Sequence, residues 1–139
     1  MIDRVVRYFG AGAAGGLLNS LVVWLFGSLG ISAALGVAIA PHLSPDWLYP
    51  RIVWGGIWGM LLFLPFCPGR PWLRALLLSF GPTLVQLLIV FPFKAGKGVA
   101  GLDLGLLTPL LVIFFNWVWG VTAMGLASAG GRKSSDVPQ

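Results

Sequence analysis

From Tyr8 to Ala40 the chain runs for a full stretch without one Asp, Glu, Lys, Arg or His: Y-F-G-A-G-A-A-G-G-L-L-N-S-L-V-V-W-L-F-G-S-L-G-I-S-A-A-L-G-V-A-I-A. A helix in water needs a polar face, and this stretch has none. About 20 apolar residues cross a hydrocarbon core of ~30 Å, so the segment reads as a membrane span with a short apolar continuation. Residues 31–40 either extend that first helix or lie in the interface. Arg4 and Arg7 followed by Ala38-Ile39-Ala40 have the outline of a signal peptide and its cleavage site. The apolar region, however, exceeds the 7–15 residues of a usual signal core, and the first span is expected to be retained.

With lipid as the solvent, the remaining composition falls into place. Only 9% of the residues are charged and 58% are hydrophobic, against about 25% charged in soluble domains. The formal net charge is +5, but the basic residues sit between hydrophobic runs instead of on one polar face. That pattern fits topology signals and lipid headgroups, not nucleic acid. The lone cysteine, Cys67, excludes an intrachain disulfide and a multi-cysteine metal site.

The expected architecture is all-α: a polytopic membrane protein of four transmembrane helices with short loops. A transmembrane domain over 1–129 is followed by a polar cytoplasmic tail over 130–139. Spans are predicted at about Tyr8–Gly30, Arg51–Phe66, Trp72–Phe93 and Leu104–Ala127. The segment Pro41–Arg51 holds three prolines before its final Arg and is expected to be a loop, and Pro82 is expected to kink the third span. Six of the nine Lys and Arg residues fall at the N-terminus, the middle turn and the tail. By the positive-inside rule both termini are then cytoplasmic, in a cell (inner) membrane.

Two glycine pairs stand four apart, Gly12 with Gly16 and Gly55 with Gly59. That spacing puts each pair on one helix face and lets two backbones approach closely. Four polar residues fall at mid-depth. At 1.5 Å per residue, Asn19 and Asn116 lie ~16 and ~15 Å from the inner ends of their spans, and Thr83 and Gln86 ~16 and ~21 Å. Polar groups in hydrocarbon are costly unless bonded. This layer therefore reads as interhelical hydrogen bonding, with a lining for a small neutral solute, or an assembly face, as alternatives. At the outer face, His42, Asp46, Arg51, Lys94, Lys97 and Asp103 form a polar cluster. Local pairing and solvation is the plainer account of it, and an anion or lipid headgroup the sharper one.

No charged residue lies deep within a predicted span, which argues against an ion-coupled pump. The usual general acids and bases are missing there as well, so no enzyme is expected. No cofactor or metal is expected either, since His42 alone cannot complete a metal site.

The segment L-L-L-S-F-G-P-T-L-V-Q-L-L-I-V-F-P-F (Leu76–Phe93), with the Gly-rich loop after it and F-N-W-V-W-G, resembles the C-terminal half of YagU-like bacterial inner-membrane proteins. The resemblance covers the second half of the chain and implies a bacterial inner membrane. It carries over no catalytic residue. The expectation for function is a small non-catalytic subunit or scaffold, packing through its glycine faces with itself or a larger membrane complex. The alternative is a passive channel or facilitator lined by the midplane amides.

Overall fold

A computed structural model describes residues 1–65 and 69–135, and all regular structure in them is helical. The helices are α1 (Ile2–Ser28), α2 (Ile31–Ala34), α3 (Pro45–Trp58), α4 (Pro71–Val85) and α5 (Thr108–Ser135). A tight 3-10 stretch, Gly59–Phe63, continues α3, and a wide π-helical stretch, Gln86–Lys94, continues α4. Cys67 lies outside the described residues.

Among the described residues, three helical segments are long and apolar enough to cross a membrane: Ile2–Ser28, Pro71–Lys94 and Thr108–Gly131. The second of the four predicted spans is not among them, because its α-helical part is only 14 residues long. Its bounds differ too. The helix starts six residues before Arg51, at Pro45, in what the prolines suggested was loop. Ser44 caps it, accepting the Trp47 N–H at 3.3 Å. Pro45 takes the first helical position, where a missing N–H costs nothing. Only Pro50 lies inside the helix and forfeits a bond.

Residues 31–40 do not prolong α1. The chain breaks at Gly30 (φ +77°), makes the single turn α2, and folds back after Gly36 (φ +73°). Val37 is buried, the Ala38 N–H donates to the Leu104 carbonyl at 2.9 Å, and Ala40 packs on Gly27. Past Pro82, where a kink is expected, α4 stays α-helical through Val85. The departure comes one turn later. The π-helical stretch contains Pro92 and closes with the Ala95 N–H on the Val90 carbonyl at 2.7 Å. At the C-terminal end α5 runs past Gly130 to Ser135, so the first half of the expected tail is helical.

α1 is the central helix. It packs against both α3 and α5, and α4 packs against α5. The α1–α3 contact is made of glycine. A Cβ placed on Gly55 would stand 2.7 Å from the Gly12 carbonyl oxygen and 2.9 Å from the Gly16 Cα, and one on Gly59 would meet the Tyr8 carbonyl and Gly12. Trp119 of α5 closes the seam, its indole N–H donating to the Gly12 and Gly55 carbonyls at 3.1 and 3.3 Å. Trp119→Phe removes that shared donor and part of the ring; a loss of about 2 kcal/mol is expected in detergent unfolding. No change would mean that the indole N–H contributes nothing at the seam.

α3 and α4 face each other with little direct helix contact. Trp58 and Leu61 reach Gly81 towards one end, while towards the other end the two helices leave a cleft.

Candidate functional site

The floor of that cleft is polar, and it is assembled one side chain at a time from α1, α3, α4 and α5. On α1, the Ser20 hydroxyl donates to the Gly16 carbonyl at 2.7 Å, which leaves its oxygen free to accept. Asn19, next to it, donates to the Phe115 carbonyl of α5 and turns its amide oxygen towards α3. Both acceptors are taken by Arg51: Nε donates to Ser20 Oγ at 2.8 Å and Nη2 to Asn19 Oδ1 at 2.8 Å. The guanidinium also stacks over the ring of Trp47, one helical turn earlier, at 4.7 Å.

A second network joins it from the α4 side. The Thr83 hydroxyl donates to the Ser79 carbonyl at 2.7 Å and accepts from the Asn116 amide at 3.0 Å. The same Asn116 amide reaches Gln86 Oε1 at 3.4 Å. Asn19, Thr83 and Asn116 are all buried. The structure thus joins three of the four mid-depth residues, Thr83, Gln86 and Asn116, in one bonded trio, while Asn19 bonds the Phe115 carbonyl, next to Asn116 on α5, and Arg51.

Arg51 corrects the sequence reading. A span that starts at Arg51 itself puts that residue in the outer-face cluster. The helix starts earlier, so Arg51 sits in its second turn and its side chain runs inward to Asn19. Counting from the helix ends, Asn19 is ~14 Å, and Gln86 and Asn116 ~12 Å, from the end where the cluster was expected. A cation therefore does lie deep among the helices. Its hydrogen-bond and ring partners are all neutral. The sequence has four acidic residues, Asp3, Asp46, Asp103 and Asp136. The first three are exposed, and Asp136 lies outside the described residues.

Two cavities meet at this floor, and Asn19, Arg51, Gln86 and Asn116 line both. One, of about 360 Å³, is the cleft between α3 and the π-helical stretch, walled by Trp54, Trp58, Trp119, Val85 and Val90. The other, of about 370 Å³, lies under the folded-back segment Ala38–Pro41 and is walled by Trp47, Phe91 and Phe115. Lys94 stands on the first and Lys97 on the second, both exposed side chains. His42, Asp46 and Asp103 are exposed and line neither cavity. The outer-face cluster is thus divided: its three cations border the cavities and its other members do not.

Chemically, the chamber offers donors and positive charge. The guanidinium bonds to the protein through Nε and Nη2 only among the described residues, and carboxylates are missing from the lining. An anion is the complement of such a site; a cation is repelled. Among the described residues no group of three His, Cys, Asp or Glu could hold a metal ion.

The glycine pairs have a different role from the chamber. Gly12, Gly16, Gly55 and Gly59 pack on one another inside the chain, so neither face is left over for a partner. Sequence reasoning missed Ser20 as a site residue and put Arg51 at the outer face, not at depth. The signal for Arg51 was Ser44-Pro45, an N-cap followed by proline at the first helical position, which marks a helix start. No protein-family model, curated protein or solved structure matches this chain.

Proposed function

We propose that this chain is a non-catalytic integral membrane protein that binds the acidic head of an amphiphile, with the head on Arg51 and the apolar tail in the cleft between α3 and α4. The observation that carries this is a deep guanidinium with neutral partners at the bottom of a cleft with aromatic walls. A charged side chain at the bilayer centre costs roughly 3 kcal/mol. An arginine held there by an amide and a hydroxyl keeps donors in hand for a ligand, and its planar fork matches a carboxylate or phosphate. The walls around it, Trp54, Trp58, Val85 and Val90, suit an alkyl chain and not a hydrated solute. Lys94 and Lys97 at the rim add attraction for an anionic head.

The same reading makes α3 a fourth crossing. Its 14 α-helical and five 3-10 residues extend about 31 Å at 1.5 and 2.0 Å per residue, enough for a ~30 Å core. Both termini then lie on one side, and the Lys and Arg distribution favours the cytoplasm, in a bacterial inner membrane as the resemblance implies. The expected scaffold role loses support because its glycine faces are occupied within the chain. The neutral-solute facilitator loses support because a cation stands in the lining.

The test is tryptophan quenching in neutral phosphatidylcholine vesicles. At equal mole fraction, a fatty acid brominated on its chain should quench Trp54 and Trp58 more strongly than phosphatidylcholine brominated at the same depth. Equal quenching by the two would contradict a site selective for the acidic head.

A further inference from the structure

At the end of the bundle opposite the Lys94 and Lys97 rim lies a smaller cavity of about 150 Å³, bordered by Arg7, Tyr8, Arg74 and Ser128. Its construction follows from chain ends and missing side chains. The 3-10 stretch after α3 stops at Phe63, leaving terminal carbonyls without helical donors. Arg74, in the first turn of α4, serves two of them: Nη2 donates to the Leu62 carbonyl at 2.8 Å and the Leu64 carbonyl at 3.1 Å. Arg7, on α1, passes close to α5 because Gly130 and Gly131 have no side chains to exclude it; a Cβ on Gly130 would stand 2.9 Å from Arg7 Cδ. Its guanidinium lies 5.3 Å from the centre of the Tyr8 ring.

Two guanidiniums from different helices thus border one small space. In both, the Nε–H is shut away from solvent and has no hydrogen-bond partner among the described residues. Buried donors in folded proteins are bonded with few exceptions, and an exception calls for an explanation such as an absent ion. Two on arginines that border the same cavity suit a shared acceptor. The only nearby acid on α1, Asp3, is exposed and does not border the cavity.

We propose that Arg7 and Arg74 form a second anion site, for a phosphate group, independent of the Arg51 chamber. A water occupies about 30 Å³ in the liquid, so the cavity has room for the five heavy atoms of a phosphate. A phosphate oxygen can accept from the Nε and Nη edge of each guanidinium at once, the bidentate pairing that arginine favours. Arg7 and Arg74 lie ~8 and ~5 Å from the starts of their helices, at headgroup depth. The phosphate then belongs to a membrane lipid or to free phosphate reaching the interface from water.

Native mass spectrometry of the delipidated full chain in neutral detergent tests this. With phosphatidylglycerol, the wild type should retain two lipids, and Arg7→Gln and Arg51→Met one each; the double variant should retain none. Arg7 also contacts Tyr8, and Arg7→Gln removes the charge while keeping a polar side chain at that contact. In the Arg51→Met background, adding Arg7→Gln should weaken the remaining lipid about tenfold or more, the size of one charge-assisted hydrogen bond. Displacement of that lipid by excess inorganic phosphate supports a site that accepts the free ion, and resistance to displacement supports the lipid headgroup. Retention unchanged by Arg7→Gln overturns the proposal and leaves the Arg51 site standing; loss of binding in Arg51→Met alone overturns it too. Should Arg7→Gln fail to fold, nitrogen-edited spectra of the wild type decide. Two arginine Nε–H resonances should shift with phosphatidylglycerol and not with phosphatidylcholine, and unmoved resonances overturn the site.

Discussion

Gly55→Leu is expected to prevent stable assembly of this bundle, while Gly10→Leu, on the helix Gly55 packs against, leaves it intact. At Gly55 even a Cβ would sit 2.7 Å from the Gly12 carbonyl oxygen and 2.9 Å from the Gly16 Cα. Both obstacles are backbone, so no rotamer change relieves them. Leucine must push α3 away from α1. Overpacking of this kind costs ~3 kcal/mol at the upper end of its usual range, and here it also separates the Gly12 and Gly55 carbonyls that share the Trp119 indole. Gly10 has nothing within 4 Å of its would-be Cβ, and leucine there only improves helix propensity. Unfolding in mixed micelles compares the two variants. Equal stability would mean that α1 and α3 do not meet through their glycines.

The second large effect separates binding from folding at Arg51. Removing one partner of a desolvated charge pair costs 2–5 kcal/mol of binding, so Arg51→Met should weaken an acidic amphiphile about 30-fold or more. Stability should move far less. The substitution leaves Asn19 Oδ1 without its donor, at about 1–3 kcal/mol, but it also lifts the cost of holding a lone cation at depth, roughly 3 kcal/mol. Those terms offset, and replacing buried charge by packed apolar groups is often neutral or stabilising. Severe unfolding by Arg51→Met with binding retained in the folded fraction would make the arginine a structural brace and not a ligand site.

The sequence disclosed some of this and hid the rest for definite reasons. The four-residue glycine spacing marked two close-packing faces, but spacing cannot say whether a face meets its own chain or another. Here Gly12 and Gly16 turn to Gly55 and Gly59, and the partner is internal. Depth counting placed Asn19, Thr83, Gln86 and Asn116 at one level because helix rise is nearly constant. It failed for Arg51, whose long side chain reaches well beyond its own Cα, and whose helix start was obscured by Pro41, Pro45 and Pro50. The wide turns from Gln86 to Lys94 had no legible cue, since Pro82 was the more prominent breaker and the α-helix continues past it to Val85. The cleft itself was invisible. It arises because α1 and α5 hold α3 and α4 apart, a property of the assembled helices and not of any one segment.

Arg51 is proposed to hold the acidic end of an amphiphile at depth. Thermal unfolding with dodecanoate, against dodecyl maltoside of the same chain length, tests it most directly. A ligand present at 100 times its dissociation constant stabilises the fold by about 2.7 kcal/mol. Dodecanoate should therefore raise the melting temperature of the wild type well above that in the maltoside, and the rise should collapse in Arg51→Met. The same rise in both proteins, or none in either, would contradict the account.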